Sequence, residues 1–385
     1  MVSPDCERAI DLALARRNAV LKFISPNDAG LTKSHQYGFL LPKAGWEIFT
    51  TCPPTKANCE TAVLVTWPNG QTTDSRVKWY GLKKSEYRLT RFGADFPYRT
   101  ADNVGDLLVL IPESIERFDA FVFDLDEDIE ELQAALGLET FERGAVYREG
   151  VAQLETEDEC LDRNFRRFTA PLSVFPKGEV FSRAAREFVQ ECVAKAAKMT
   201  IDEALVRWMT TEYQLFRMAE RQLCQSDIAR PFRDVDDFLE TAARIMNRRK
   251  ARAGRSLENH VEEVLSSSGI PHDMRPDVDG RPDVVIPGRT EYLDPSFPVE
   301  KLCVIGVKTT CKDRWRQVLN EAKRVPRKHI FTTQPGISTN QLAEMNAAGV
   351  TLIVPARLQK EYPPDQPITM LTIEEFVKDV RRKIS

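Results

Sequence analysis

Four short apolar runs in the last third of the chain alternate with helix-period segments, and this alternation limits the fold more than any other feature. DVVIP (283–287), LCVIGVK (302–308), HIFTT (329–333) and TLIVP (351–355) are rich in Val and Ile and bounded by turn residues, as strands are. DRWRQVLNEAKRV (313–325) and STNQLAEMNAAG (338–349) lie between them with apolar residues three or four apart, as in helices. Strand–helix–strand–helix–strand order requires parallel crossovers, so the second half is expected to be an α/β unit with a mixed central sheet. Upstream, SRAAREFVQECVAKAAK and DEALVRWMTTEYQLFRMAERQL read as amphipathic helices. VDDFLETAARIMNRR and GRSLENHVEEVLSSSG read as two more, the last closed by Gly269.

The first 165 residues read differently. ETAVLVTW, SRVKWYG, YRLTRFG and FDAFVFDL are short β-branched or aromatic runs separated by turns such as PNG, which suggests a small barrel or sandwich. DEDIEELQAALGLE follows as a helix, with Ile129, Leu132 and Leu136 on one stripe and acids in its first turn. The acid-rich tract 149–163 reads as a linker. The expected organisation is therefore a β-rich unit with its acidic linker over 1–165 and an α/β unit over 175–385.

No run of eighteen apolar residues is present to cross a membrane, and MVSPDCERAIDLALARR lacks an apolar signal core, so a cytoplasmic protein with no membrane partner is expected. The eight cysteines show no CxxC or zinc-like spacing and read as scattered reduced thiols, with a Cys52–Cys59 bridge as the alternative. The net charge of −4 argues against a chain that coats nucleic acid non-specifically, but it hides a strong asymmetry. Residues 101–160 carry eighteen acids against three bases, whereas 244–255 (RIMNRRKARAGR) carry six bases and no acid.

Four chemically suggestive pieces follow in order. GRSLENHVEEVL carries Glu258 on a helix, RPDVVIP places Asp283 at the mouth of a strand, CVIGVK ends on Lys308, and the next helix carries Glu321. Phosphodiester hydrolysis calls for a divalent cation, and Mg²⁺ favours one or two carboxylates completed by waters and phosphate oxygens. A lysine beside it can orient the attacking water or stabilise the oxyanion. The usual nuclease pattern sets a second acid two residues before the lysine, but position 306 is glycine, so Glu321 is the candidate to replace it. Taken alone, an Asp and a Lys on neighbouring strands also fit a structural domain with surface charges.

The runs VKTTCKDRWRQVLNEA, HIFTTQPGIS and LIVP, with NRRKARAGRSLENHVE and RPDVVIP upstream in the same order, resemble the catalytic domain of EcoRII-type restriction endonucleases. SPNDAG, SHQYG and YRLTRFG carry a weaker likeness into the N-terminal half. The resemblance implies an effector β pseudobarrel followed by a PD-(D/E)xK nuclease domain whose second acid follows the lysine, in accord with Gly306. It implies a Mg²⁺-dependent type II site-specific deoxyribonuclease that cuts both strands of duplex DNA. It also implies a homodimer, autoinhibited by its N-terminal domain, with a companion cytosine methyltransferase in the same system but not bound. Catalysis is then expected at Asp283, Lys308, Glu321 and Glu258, with Asp283 and Glu321 on the metal.

Lys312, Asp313 and Arg314 form a basic–acidic–basic triplet suited to guanine and cytosine edges, although a helix cap with two solvated cations would use the same residues. The resemblance makes them the reader of a CC/GG half-site in an odd-length site (CCWGG or CCNGG-like) and places Asn247 near the central pair. Relatives flip that pair out, which makes Tyr213 and Trp208 candidate stacking partners, though aromatics on a helix are commonly core. Arg248, Arg249, Lys250, Arg252 and Arg255 suit phosphates, or a solvated helix face. On the effector domain the likeness assigns DNA contact to Glu86, Tyr87 and Arg88 and to an arm holding Lys33 and His35; Tyr87 stands where a base is expected. The competing readings are a catalytically inactive sequence-specific DNA-binding regulator and a modification-dependent nuclease.

Overall fold

The computed structural model describes residues 2–32, 38–43, 45–82, 84–93, 96–138, 144–148, 159–193 and 196–384. Lys33, His35 and residues 149–158 of the acidic tract lie outside them. In chain order the first unit is α1 (Pro4–Arg16), β1 (Asn18–Phe23), β2 (Phe39–Leu41), β3 (Cys59–Thr66), β4 (Thr72–Trp79), β5 (Tyr87–Thr90), β6 (Leu107–Ser114), β7 (Arg117–Phe123), α2 (Asp126–Leu136) and β8 (Gly144–Arg148). One sheet runs β2-β5-β4-β3-β7-β6-β1-β8 and is antiparallel except where β3 meets β7.

The ends of this sheet curl toward each other. A Cβ on Gly45 would sit 2.7 Å from Val146 of β8, and Arg148 reaches Glu47 at 3.3 Å. The interior is filled by Phe39, Trp67, Phe92 and Phe96, among other buried apolar side chains, so the unit is a pseudobarrel with a packed core. Outside it, α1 and α2 cover β1, β6 and β7 through Ala9, Ala13, Ile129 and Leu132.

The second unit continues with α3 (Glu159–Thr169), α4 (Gly178–Cys192), α5 (Ile201–Ala229) and α6 (Val235–Ser267). Leu161 and Phe165 of α3 pack with Phe181, Phe188 and Phe216 of α4 and α5, so α3 belongs with the helices and not with a linker running to 165. The two helices expected between 235 and 267 are one. Gly254 falls in the middle of α6 with open space around it, and a single glycine costs only about 1 kcal/mol against the long periodic segments on either side.

Then come β9 (Asp273–Met274), β10 (Val284–Ile286), α7 (Arg289–Leu293), β11 (Cys303–Lys308), α8 (Trp315–Val318), β12 (Lys328–Thr332), α9 (Thr339–Ala347), β13 (Val350–Ile353), β14 (Met370–Leu371) and α10 (Ile373–Ile384). Their sheet runs β14-β13-β12-β11-β10-β9, parallel from β11 to β14 and antiparallel from β9 to β11. This is the mixed sheet expected, with α5, α6 and α10 on one face and α8 and α9 on the other. Two disulfides, Cys52–Cys59 and Cys160–Cys192, correct the expectation of reduced thiols, while Cys6, Cys224, Cys303 and Cys311 are free and buried. Among the described residues no helix is long and apolar enough to cross a membrane.

Candidate active site

The antiparallel register pairs Val284 with Ile305, so Asp283, one residue earlier, reaches the C-terminal end of β11. There its Oδ2 accepts from the Val307 amide at 2.7 Å and from Lys308 Nζ at 2.8 Å. The Asp283 carbonyl accepts the Arg275 amide at 2.8 Å, which fixes the turn before β10. The separation of twenty-five positions between Asp283 and Lys308 is thus bridged by one strand pairing and one half-buried ion pair.

Gly306 has a definite structural reason. Residues 306 and 308 share a face of β11, and a Cβ on Gly306 would lie 2.5 Å from Val318 Cγ2. The glycine lets α8 close onto the strand, and the backbone leaving α8 carries Glu321 toward the same end. Gly306→Asp, which restores the usual strand acid, is therefore expected to lower stability by about 1–3 kcal/mol through overpacking. It should not rescue Glu321→Ala; denaturant melts and cleavage assays of the single and double variants check this.

Glu321 is not on a helix, contrary to expectation. The helix ends at Val318, and Glu321 stands in the turn that follows, before Ala322 with φ +42°. Lys328 Nζ, buried at the start of β12, binds the carbonyls of Glu321, Ala322 and Val325, which replaces the helical hydrogen bonds a longer helix would need. Burial pushes the Glu321 carboxyl up, opposed by Lys308 and reinforced by the negative charge of Asp283, and its Oε2 is buried with no hydrogen-bond partner. Glu258, on α6, is also pushed up by burial; Arg275 offsets this, Asp283 adds to it, and an ion pair with Arg275 holds its side chain.

Among the described residues no three carboxylates, imidazoles or thiols converge as a cage for a metal. A hard cation that keeps waters and phosphate oxygens needs fewer protein ligands, and a carboxyl pushed up by burial with one oxygen unpartnered, as at Glu321, fits such an ion. Asp283 and Glu321 could hold it.

The remaining candidates divide. Asn247 and Arg255 are exposed on α6. Arg249 grips Glu220 at 2.8 and 2.9 Å and the Ala134 carbonyl at 2.7 Å, Lys250 pairs with Glu131, and Arg248 lies 3.9 Å from the centre of the Phe175 ring. Arg252 is 8% exposed and stacks over Tyr213 and Phe216 beside Glu212, so as placed it meets no phosphate. Trp208 packs against the core, its ring 5.7 Å from that of His260, and Tyr213 donates to the Gly137 carbonyl. In the first unit Tyr87 is fully buried, donating to the Cys52 carbonyl at 2.6 Å beneath Trp79; it is core and not a base reader. Arg88 is 2% exposed, tied to Glu86 and to the Gly38 carbonyl.

Lys312, Asp313 and Arg314 meet the first unit. Asp126, opening α2, accepts from the amides of Lys312 at 2.9 Å, Asp313 at 3.0 Å and Arg314 at 3.3 Å, while its own amide donates to Asp313 at 3.1 Å. Glu130 binds Arg314 at 2.6 Å and Thr310 at 3.0 Å, and Lys312 pairs with Asp106. The two units approach so closely that a Cβ on Gly105 would be 2.2 Å from the Gly336 carbonyl oxygen. Beneath α2 remains a cavity of about 230 Å³ lined by Glu258, Lys308, Thr310, Lys250 and Tyr213. Asp106, Asp126, Glu130 and Glu131 were not singled out in sequence. Their signal was the i, i+4 spacing of Asp126 and Glu130 within an acidic stretch facing a basic one.

A mixed sheet with an Asp–Lys pair at the end of neighbouring strands defines the second unit as a restriction-endonuclease-like nuclease fold. The family described as "Restriction endonuclease EcoRII, N-terminal" matches residues 15–145, and "EcoRII C terminal" matches 216–377. The type II restriction enzyme EcoRII of Escherichia coli is 29% identical, with 96% of each chain covered. The chain belongs to the EcoRII type of restriction endonucleases. Among solved structures, metal-depleted Ecl18kI with uncleaved, modified DNA aligns at 16% identity and TM-score 0.45, covering 58% of this chain and 83% of that one. A PspGI–substrate DNA complex aligns at 13% identity and TM-score 0.45, covering 55% and 93%. At these TM-scores neither likeness bears on how the chain works.

Proposed function

We propose that this restriction endonuclease hydrolyses both strands of duplex DNA at an odd-length site flanked by CC and GG, with Mg²⁺, in an active site made by Asp283, Lys308 and Glu321. The observation that carries this reading is the Asp283–Lys308 pair at 2.8 Å beside a buried, unpartnered Glu321 oxygen. When bound, Mg²⁺ would supply charge stabilisation at the scissile phosphate and acidify the attacking water. Asp283 and Glu321 would hold the ion. Lys308, paired with Asp283, would orient the water and neutralise charge growing on the phosphoryl oxygens. Glu258 anchors Arg275 and thereby the turn that presents Asp283.

Lys312, Asp313 and Arg314 lie four to six residues beyond Lys308, so base reading and cutting would share one rigid segment. Their engagement by α2 supports a closed resting state in which the first unit serves as effector and the second as nuclease. A homodimer would give one active centre per strand. Stable binding without cutting would favour an inactive DNA-binding regulator, and cutting confined to methylated DNA a modification-dependent nuclease. Incubating unmethylated plasmid with the protein and Mg²⁺ and sequencing the fragment ends tests the proposal. Ends falling only within CC/GG-flanked sites on both strands are expected, whereas ends scattered over unrelated sequences would refute the specificity.

A further inference from the structure

The turn that carries Glu321 is gripped from both sides by residues outside the proposed reacting groups. Lys328 is 3% exposed, and its ammonium spends its three hydrogens on the carbonyls of Glu321 at 2.6 Å, Ala322 at 2.7 Å and Val325 at 2.6 Å. From the other side, the Asp279 carbonyl accepts the Ala322 amide at 2.8 Å and its carboxylate accepts the Lys323 amide at 2.7 Å. Tyr292 donates to that carboxylate at 2.5 Å. Gly280, at φ +74°, lies so close that a Cβ there would be 2.5 Å from Glu321 Cα. Ala322 is held in the left-handed region, which a non-glycine residue leaves unless contacts enforce it.

A buried lysine is costly unless its hydrogens are all accepted, and burying one merely to close a surface turn is an expensive device. Here its carbonyl partners begin at Glu321, the residue whose carboxyl feels the charges of Lys308 and Asp283. We propose that Lys328 is a positioning residue for the cation site: with Asp279 opposite, it fixes the Glu321 backbone so that the carboxylate stands ready beside Asp283 before any cation or DNA arrives. This rests on the reading of Glu321 as a cation ligand. Residues that orient a metal ligand typically change metal affinity ten- to a hundredfold when removed, without touching the metal.

The test is Mn²⁺ binding to the full chain without DNA, counted by electron paramagnetic resonance of the free ion, for wild type, Glu321→Gln, Lys328→Met and Asp279→Asn, with circular-dichroism melts of each. Glu321→Gln is expected to abolish one Mn²⁺ site. Lys328→Met should keep the site but raise its half-saturation about tenfold. If Glu321→Gln binds Mn²⁺ as wild type does, Glu321 is no ligand and both readings fall. If Glu321→Gln loses the site while folded Lys328→Met keeps wild-type affinity, the positioning role alone is overturned. Should Lys328→Met fail to fold, Asp279→Asn, which loosens the same turn from its amide side, decides: weakened binding supports the role and unchanged binding refutes it.

Discussion

Replacing Lys308 by alanine is expected to cut the rate of DNA cleavage by about 10²–10³-fold while leaving DNA affinity within a few-fold of wild type. The reason lies in what the ammonium touches. It sits 2.8 Å from Asp283 and beside Glu321, where burial and mutual repulsion already push the Glu321 carboxyl up. Removing the ammonium leaves the Glu321 carboxyl exposed to the Asp283 charge without its opposing cation and takes away the group proposed to neutralise phosphoryl charge. Affinity should survive because the exposed bases of α6 and the 312–314 segment lie outside this cluster. Glu321→Gln should lose activity to a similar degree. Glu258→Gln should lose less, since Glu258 acts through Arg275. Single-turnover cleavage and gel shifts in Ca²⁺ separate the two effects; equal loss of binding and cutting would point to misfolding instead.

The second large effect is expected from opening the interface between α2 and the 312–314 segment. Asp126 and Glu130 together accept five hydrogen bonds there. Bonds to charged groups contribute about 1.5–3 kcal/mol each when buried, and every 1.4 kcal/mol is a factor of ten in an equilibrium. Asp126→Ala with Glu130→Ala should therefore raise cleavage of DNA carrying a single site by about ten- to a hundredfold, up to the limit set by the fully open state. An unchanged rate would mean that α2 does not restrain the nuclease.

The same contact has a pH signature. Burial and the Asp313 charge push the Asp126 carboxyl up to about 7 against the backbone amides that oppose it. A carboxyl raised by docking binds more protons docked than undocked, so docking is strongest below its ordinary pKa and weakens as pH rises through about 7. Wild-type cleavage should accordingly increase from pH 6 to pH 8 relative to Asp126→Asn, which keeps an acceptor for the amides but has no proton to lose.

Much of the second unit was legible because each strand announced itself by β-branched residues between turn residues, and because Asp283 and Lys308 flank apolar runs that must pair. The helix expected over 313–325 was not, since its period is real but two tertiary partners, Lys328 and Asp279, take over the backbone groups of its second half. α6 was split at Gly254 in sequence because a glycine in a basic run resembles a break, whereas packing of both halves carries the helix through. In the first unit β6 went unnoticed although LLVLIPES is strongly apolar, and Tyr87 was assigned to a surface it does not reach. Alternation locates a strand but leaves open which face meets the core until the neighbouring strands are placed. The role of α2 was hidden for a different reason: acids on a helix face are ordinary, and only the 312–314 segment packed against them gives Asp126 and Glu130 their meaning.

Asp283 and Glu321, with Lys308 paired to Asp283, are expected to form one cation site at the scissile phosphate. A crystal structure of the protein with a duplex carrying a CC/GG-flanked site and Ca²⁺, which is expected to occupy the site without supporting rapid cleavage, tests it most directly. Ca²⁺ is expected to be held by Asp283 and Glu321 next to a DNA phosphate, with Lys308 Nζ within hydrogen-bond reach of that phosphate or its water. Ca²⁺ bound to the phosphate by other residues, with the Glu321 carboxylate turned away, would contradict it.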